Sequence, residues 1–537
     1  MSSQRETETP AFVLSLLITL GVVVMGLWWS ADHLKTAHLL SVSTRPRPTE
    51  PDGLSPNEVL GRISSGERLL IQAGASPEKH QGVQAIAAGN SRQAAAYFAA
   101  ALQSTPNDPE ALIYLNNAQI GANPAYAIAV SVPLSQDLNS SLEVLRGVAQ
   151  AQQEVNQRGG IGGVLLRVII ANDENRPAVA RAIAQALAAN PAVLGVVGHA
   201  SAEATLAAAE IYETGKLVAI SPLSTAVELA HAGAYTYRTV PSDFVTARAL
   251  ADHLLNQMRQ QKAAVFFDSR SRYSQSLKAE FGTALSLGGG LVVREIDVSQ
   301  STFSAADSIQ QATAQGATAL VLLTDGDQLD RTLQVVRTNG GRLPLLAGGD
   351  VYAPKTLEVG GPESVGMVVA VPWHILSASQ AAFVERSRQL WRGDVNWRTA
   401  TAYDAAQTLI AALEQAPNRA GVQQALRSPD FFASGATGTV RFLPTGDRNQ
   451  GVQLVTVQPG LRSGFGFDFV PLGHALPAAL PAPVPQPVTQ PVPQLAPDSI
   501  PVSAPSPAPH PFPVPAPPSN PVEPPASDAP PAPNAVG

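Results

Sequence analysis

The chain has 537 residues, a net charge of −7 and only 14% charged residues. That length allows several domains. The balance excludes the basic footprint of a nucleic-acid binder, and the lack of cysteine excludes disulfides, thiolate metal sites and a cysteine nucleophile. A tail (residues 1–10) precedes an uncharged apolar run, 11–29, long enough to cross a bilayer as a helix, with Trp28 and Trp29 suited to the interface. A cleaved signal peptide is the competing reading. Its apolar region is usually shorter and a small-x-small cleavage site should follow, for which Ser30 to His33 is a poor match. We therefore expect an uncleaved anchor. Arg5 stands before the span beside Glu6 and Glu8, while Lys35, Arg45 and Arg47 follow it. Taken alone, the positive-inside rule would leave the bulk of the chain in the cytoplasm.

Residues 30–56 form a linker, rich in Pro, Ser and Thr from Ser41 onward. An α-helical section, 57–122, comes next. Apolar spacing predicts helices over 92–102 and 109–118. Residues 89–118 look like one tetratricopeptide unit with an Asn-Asp-Pro turn. A single unit cannot bury its own faces, so the section is read as a spacer packed by 57–70. The alternative is a peptide-docking module, but arrays normally need three repeats.

From Ala125 the pattern alternates. Short apolar runs predict strands over 127–132, 164–170, 192–197, 217–220, 263–267, 291–296, 319–323, 343–347 and 365–371. Ala-rich helical stretches lie between most of them, over 139–156, 176–189, 202–213, 244–259, 273–286, 303–314 and 327–339. Such alternation means parallel sheets with right-handed crossovers. The strands are too many for one lobe, so the expected fold class is α/β with two Rossmann-like lobes. The expected split puts lobe 1 at about 123–241 and 373–430, and lobe 2 at about 242–372 and 431–473. Helices 379–391, 400–415 and 421–427 and strands 437–442 and 452–457 would complete them.

Gly159 to Gly163 do not make a dinucleotide fingerprint. They follow a helix and precede a strand, which reads as a helix stop. There is no Walker A sequence, and no cofactor is expected. Residues 477–537 hold 23 of the 46 prolines, so 474–537 is expected to be a disordered or polyproline tail. It could cross a cell-wall layer or bind a protein partner.

The most informative stretch is Gly195 to Glu228, GVVGHASAEATLAAAEIYETGKLVAISPLSTAVE. It contains two tandem strand–loop–helix units. In an open parallel sheet, ligands bind at the carboxyl ends of strands, and helix starts there present backbone N–H groups to an anion. Together with Ala151–Val164, Tyr237–Phe244, Ala264–Lys278 and Leu345–Ala353, this stretch resembles the type I periplasmic binding proteins of the leucine/isoleucine/valine-binding kind. These are solute receptors of ABC importers for amino acids. The resemblance runs from about Ala125 to Val457 and implies a two-lobed receptor outside the cytoplasm, against the positive-inside reading. It also implies an ABC permease as partner.

The resemblance implies the following site. Thr225 would hold the carboxylate and ammonium of an amino acid, and the Leu223 carbonyl the ammonium. Read from the residues alone, Thr225 to Glu228 is a capping box, so Thr225 can serve as cap, ligand or both. Ser201 or its neighbour would donate to the carboxylate. The family's serine falls on Ala202 here, so Ser201 would substitute with a small loop shift. Tyr273 would pack on the ligand from lobe 2, where half-buried packing is the bland alternative. Asp350 would pair with the ammonium, with a turn aspartate as its alternative. Asp243, at the lobe crossover, is either a helix N-cap or a cleft residue. The family's aromatic residue in the first loop has no match near 135–140, and its second-lobe tyrosine is replaced near Asp325. The preferred ligand is therefore expected to differ. His199 reads as a hydrogen-bonding residue, since no second histidine stands at ligand spacing.

With no Gly-x-Ser-x-Gly elbow and only scattered histidines, the chain is not expected to be an enzyme. The alternative to transport is a sensor that signals occupancy to a partner protein.

Overall fold

The structure is a computed structural model, and it describes residues 54–376 and 381–473. The expected membrane span 11–29 and the Pro-rich tail 474–537 lie outside the described residues. Among the described residues, no helix is long and apolar enough to cross a membrane.

The N-terminal section holds helix α1 (Pro56–Gly61), strand β1 (Ile63–Ser64) and helices α2 (Pro77–Ala87), α3 (Ser91–Ser104) and α4 (Pro109–Ile120). Local chemistry sets these boundaries. Ser55 and Glu58 close a capping box on α1, and Ser76, Asn90 and Asp108 cap the next three helices. The Asn-Asp-Pro turn works as read: Asp108 accepts from the Ala111 N–H, and Pro109 fills the first helical position, where no N–H is needed.

The spacer reading is corrected. This section is part of lobe 1. β1 pairs antiparallel with β3 (Leu165–Asn172), Ile63 opposite Ala171. Beyond that two-residue strand, the outer edge of β3 would be bare. Asn117 of α4 closes it at Val168, donating to the Val168 carbonyl at 2.7 Å and accepting from the Val168 N–H at 3.1 Å, as Asn156 does at Leu166. Phe98, Tyr114 and Ile113 are fully buried and join the same core as Ile128, Val130 and Val168 of the sheet.

Lobe 1 continues with β2 (Ala125–Val132), α5 (Leu138–Gln157), β3, α6 (Pro177–Ala189), β4 (Val193–Val197), α7 (Ala202–Thr214), β5 (Ala219–Ser221) and β6 (Thr236–Arg238). The sheet order is β1-β3-β2-β4-β5-β6, all parallel except β1. Val197 of β4 lies opposite Ile220 of β5, so Gly198 and Ser221 emerge side by side at the carboxyl edge.

Lobe 2 contains α8 (Asp243–Asp252, continued by a π-turn to Gln257), β7 (Lys262–Phe267), α9 (Arg272–Leu287), β8 (Leu291–Asp297), α10 (Ala305–Ala314), β9 (Ala319–Leu323), α11 (Leu329–Asn339), β10 (Leu345–Ala347), α12 (Pro354–Gly360) and β11 (Val368–Val371). The chain then returns with α13 (Ala381–Trp391), α14 (Trp397–Gln415) and α15 (Arg419–Arg427). α14 lies along α5 and so joins lobe 1. The hairpin β12 (Ala433–Gly435) and β13 (Gly438–Val440) precedes β14 (Gln453–Pro459) and β15 (Phe467–Pro471), which enter the second sheet. That sheet runs β15-β14-β11-β10-β9-β7-β8.

The expected return to lobe 2 at residue 431 comes too early. The hairpin packs on α14, and its Thr437 N–H and hydroxyl bond Asp404. Further on, Gly446 accepts from the Arg238 N–H, and Asp447 pairs with Arg238 at 2.7 Å. These contacts hold 433–450 against lobe 1, and lobe 2 resumes at β14. The hairpin strands are too short for a periodic signal.

Candidate functional site

A cavity of about 340 Å³ lies at the carboxyl ends of both sheets. All seven residues singled out in the sequence line it: Ser201, Ala202, Leu223, Thr225, Asp243, Tyr273 and Asp350. They come from both lobes.

From lobe 1, Ser201 caps α7, its hydroxyl accepting from the Ala204 N–H at 3.2 Å. The first N–H groups of a helix have no intrahelical partner, so the start of α7 presents donors at Ala202 and Glu203. The neighbouring loop differs from the reading of its sequence. No α-helix starts at Thr225. Val227–His231 is a single 3₁₀ turn, preceded by Ala226, with no side-chain cap. The expected capping box does not form, and the Thr225 hydroxyl has no hydrogen-bond partner. The Ser224 hydroxyl is also unpaired. Both loops rest on a buried network below the cleft. His199 Nδ1 lies 2.6 Å from Asp173 and Nε2 3.0 Å from the Tyr212 hydroxyl, so this histidine is the expected hydrogen-bonding residue. The Ser221 hydroxyl donates to the His199 carbonyl at 2.6 Å and ties the two loops together.

From lobe 2, Asp243 is the first residue of α8 and lines the cavity; Ser242 holds the N-cap position. Of the two alternatives for Asp243, the structure places it in the cleft. It is completely buried, its N–H donates to the Thr225 carbonyl at 2.9 Å, and neither carboxylate oxygen has a hydrogen-bond partner. Burial pushes its pKa up to about 7, partly offset by the nearby hydroxyls of Ser276 and Thr225, which approach without reaching bonding geometry. Tyr273 sits in the first turn of α9 with its hydroxyl against Gly348, where a Cβ would come within 2.5 Å of it. Only glycine permits that approach.

Asp350 already has a partner within the protein. Arg398 Nη2 meets its Oδ1 at 2.8 Å, and 27% of the Asp350 side chain remains exposed. Desolvation raises its pKa while Arg398 pulls it down. Arg398 belongs to α14, on the lobe 1 side, so this ion pair joins the lobes. Glu203 of α7 does the same, accepting from the Arg272 N–H of α9 at 2.8 Å.

Sequence reasoning missed Trp397 and Arg398, which also line the cavity. The helix was expected to start at 400. Asn396, which caps it by accepting from the Arg398 N–H at 2.8 Å, was the signal available. Arg398 lies over the Trp397 ring at 4.3 Å. Asp325, noted only as a departure, is on the wall too. Its pKa rises to about 6, first through burial and then through repulsion from Asp350, Asp268 and Asp327, against a lowering by the Ser271 hydroxyl. Among the described residues, no group of His, Cys, Asp and Glu is placed to hold a metal ion.

Two parallel-sheet lobes with polar groups converging on the cleft between them define a solute-binding protein. The chain belongs to the Periplasmic binding protein family, which it matches over residues 125–463. Proteins of this kind bind solutes and are not enzymes. Over 133 residues it is 31% identical to an amino acid binding protein of Pseudomonas aeruginosa, a match covering 25% of this chain and 35% of that one, so it spans about a third of that relative. It is 23% identical to the Leu/Ile/Val-binding protein of Escherichia coli, covering 52% of this chain and 77% of the other. Among solved structures, an ABC transporter substrate-binding protein from Desulfitobacterium hafniense in complex with Leu is 25% identical, with a TM-score of 0.56, covering 64% of this chain and all of the other. A leucine binding protein from Thermotoga maritima shares the fold at 21% identity and a TM-score of 0.57, over 64% of this chain and 98% of the other.

Proposed function

We propose that the chain is the solute receptor of an ABC importer and that it captures an α-amino acid between its lobes outside the cytoplasm. One observation carries this reading: residues expected to hold the two ends of a zwitterion, drawn from separate lobes, line one cavity. The carboxylate docks on the start of α7 at Ser201 and Ala202, with the unpaired Thr225 hydroxyl as a further donor. The ammonium meets the Leu223 carbonyl and Asp350, whose Oδ1 already carries Arg398. Tyr273 closes over the ligand. Each lobe holds part of the ligand, so closure is favoured by the difference in binding between closed and open states. Residues 11–29 hold the receptor at the membrane, and an ABC permease receives the solute.

The test is a thermal-shift screen of the full chain against the amino acids, followed by calorimetric titration. A ligand at a hundred times its Kd should add about 2.7 kcal/mol to stability. No shift with any amino acid, on a chain that melts cooperatively, would overturn the reading.

A further inference from the structure

Six carboxylates line the cleft: Asp137, Glu203, Asp243, Asp325, Asp327 and Asp350. The two guanidiniums on its wall are already engaged. Arg398 pairs with Asp350 at 2.8 Å, and Arg270 reaches Asp268, off the wall, at 3.2 and 3.1 Å. Glu203 is occupied by the Arg272 N–H. Among the described residues, no ion pair reaches Asp137, Asp243, Asp325 or Asp327.

Acidic residues alone do not make a site, but two of these carry unmet demand. Asp243 is fully buried with both oxygens unpaired, and Asp325 Oδ1 is buried and unpaired. An unpaired buried carboxylate is costly, and the cost falls when a cation joins it. The arrangement also spans the cleft. Asp137, which caps α5 in lobe 1, repels Asp327 and Asp350 of lobe 2. Bringing the lobes together over an uncharged ligand therefore sets like charges face to face, whereas a cation between them turns repulsion into attraction. The carboxylates are spread rather than gathered, with no metal-holding group among the described residues. That spacing suits an extended organic cation better than a metal ion. An aliphatic side chain would strip water from these groups and offer nothing in return.

We propose that the ligand is a basic α-amino acid, its side-chain ammonium or guanidinium seated between Asp137 of lobe 1 and Asp325 and Asp327 of lobe 2. This rests on the amino-acid reading above and names its substrate class.

Calorimetric titration of the full chain with L-lysine, L-arginine, L-norleucine and cadaverine tests it. Norleucine keeps the zwitterion without the second cation, and cadaverine keeps two cations without the carboxylate. Lysine or arginine should bind roughly 100-fold more tightly than norleucine, with an affinity that falls as salt rises. Asp325→Asn should weaken the basic ligand by roughly 10-fold or more while leaving norleucine within about threefold. The same variant should melt no lower than the parent chain without ligand, because it removes an unpaired charge; a merely structural aspartate would melt lower. Asp327→Asn, at an exposed position, repeats the test with little risk to folding. Norleucine binding as tightly as lysine overturns the proposal and leaves the amino-acid reading standing. Cadaverine equalling lysine overturns it as well, since the carboxylate would then contribute nothing. Binding by neither amino-acid class, on a folded chain, overturns the amino-acid reading together with this inference.

Discussion

The two walls of the cleft are built on different terms. In lobe 1, the polar groups at and beneath the cleft wall largely hold the fold, the unpaired Ser224 and Thr225 hydroxyls apart. Ser201 caps α7, Ser221 ties two loops together, and His199 is locked beneath them. In lobe 2, Asp243 faces the cleft with both oxygens unpaired, and Asp325 with its Oδ1 unpaired. On the cleft wall, the buried groups that lobe 1 leaves unpaired are thus neutral, whereas the charged groups with unmet demand lie in lobe 2. Substitutions in the first should cost stability, and substitutions in the second should cost affinity.

The harshest way to break that contrast is to remove the helices that complete lobe 1. A variant lacking residues 54–122 loses the closure of the β3 edge at Asn117 and the burial of Phe98, Ile113 and Tyr114. Each such side chain is worth about 1.5–3 kcal/mol of burial, against a total stability of roughly 5–15 kcal/mol. We expect no cooperative melt by circular dichroism. A variant that melts like the parent would show the section to be an accessory.

Asp350→Ala should act in the opposite sense. Affinity for an amino acid should fall by roughly 100-fold or more, as when one partner of a charge pair is truncated, while the fold persists. Calorimetry and a thermal melt on the same sample separate the two effects. Unchanged affinity would mean that the ammonium lies elsewhere.

Asp243 makes the pH dependence predictable. Its folded pKa of about 7 stands above the ordinary value of 3.8, so the folded chain holds this proton more tightly than the unfolded chain. Its contribution to stability is therefore full below about pH 4, is lost as pH rises through 7, and is flat above. Asp325 and Asp404, both near 6, act in the same direction. Asp297, held below the ordinary range by Ser269, Gln300 and Ser299 despite its burial, acts only below about pH 4. Without ligand, Asp243 alone should add on the order of 2 kcal/mol of stability between pH 8 and pH 5, and Asp325 and Asp404 should add to it. Asp243→Asn should reduce that slope and raise the melting temperature at pH 8. A melt that falls instead would assign Asp243 to the scaffold.

The smallest effects sharpen the contrast within lobe 1. Ser201→Ala should cost about 1 kcal/mol of stability as a lost cap. Thr225→Ala should cost less than about 0.5 kcal/mol, because its hydroxyl caps nothing, yet it should weaken ligand binding. Equal melting temperatures for the two variants would erase the distinction.

Much of this architecture was legible from local pattern. Short apolar runs and Ala-rich stretches in alternation marked the strands and the helices between them, because parallel strands buried on both faces are apolar at nearly every residue. Strand ends followed by small polar residues marked the cleft, because ligands collect where parallel strands end. Other features depended on partners distant in the chain. Thr225 to Glu228 has the letters of a capping box, but the chain turns at Ala226 into a 3₁₀ turn whose Val227 N–H is bonded by Ser276 of the other lobe. Arg398 meets Asp350 only because α14 returns to lobe 1 and lays its first turn across the cleft. The helical section carried ordinary caps and turns, and nothing in them showed that Asn117 would complete the edge of β3. A cap is satisfied within four residues and can be read from them, whereas an ion pair between lobes or a covered strand edge is satisfied across the fold, so only the tertiary structure decided those.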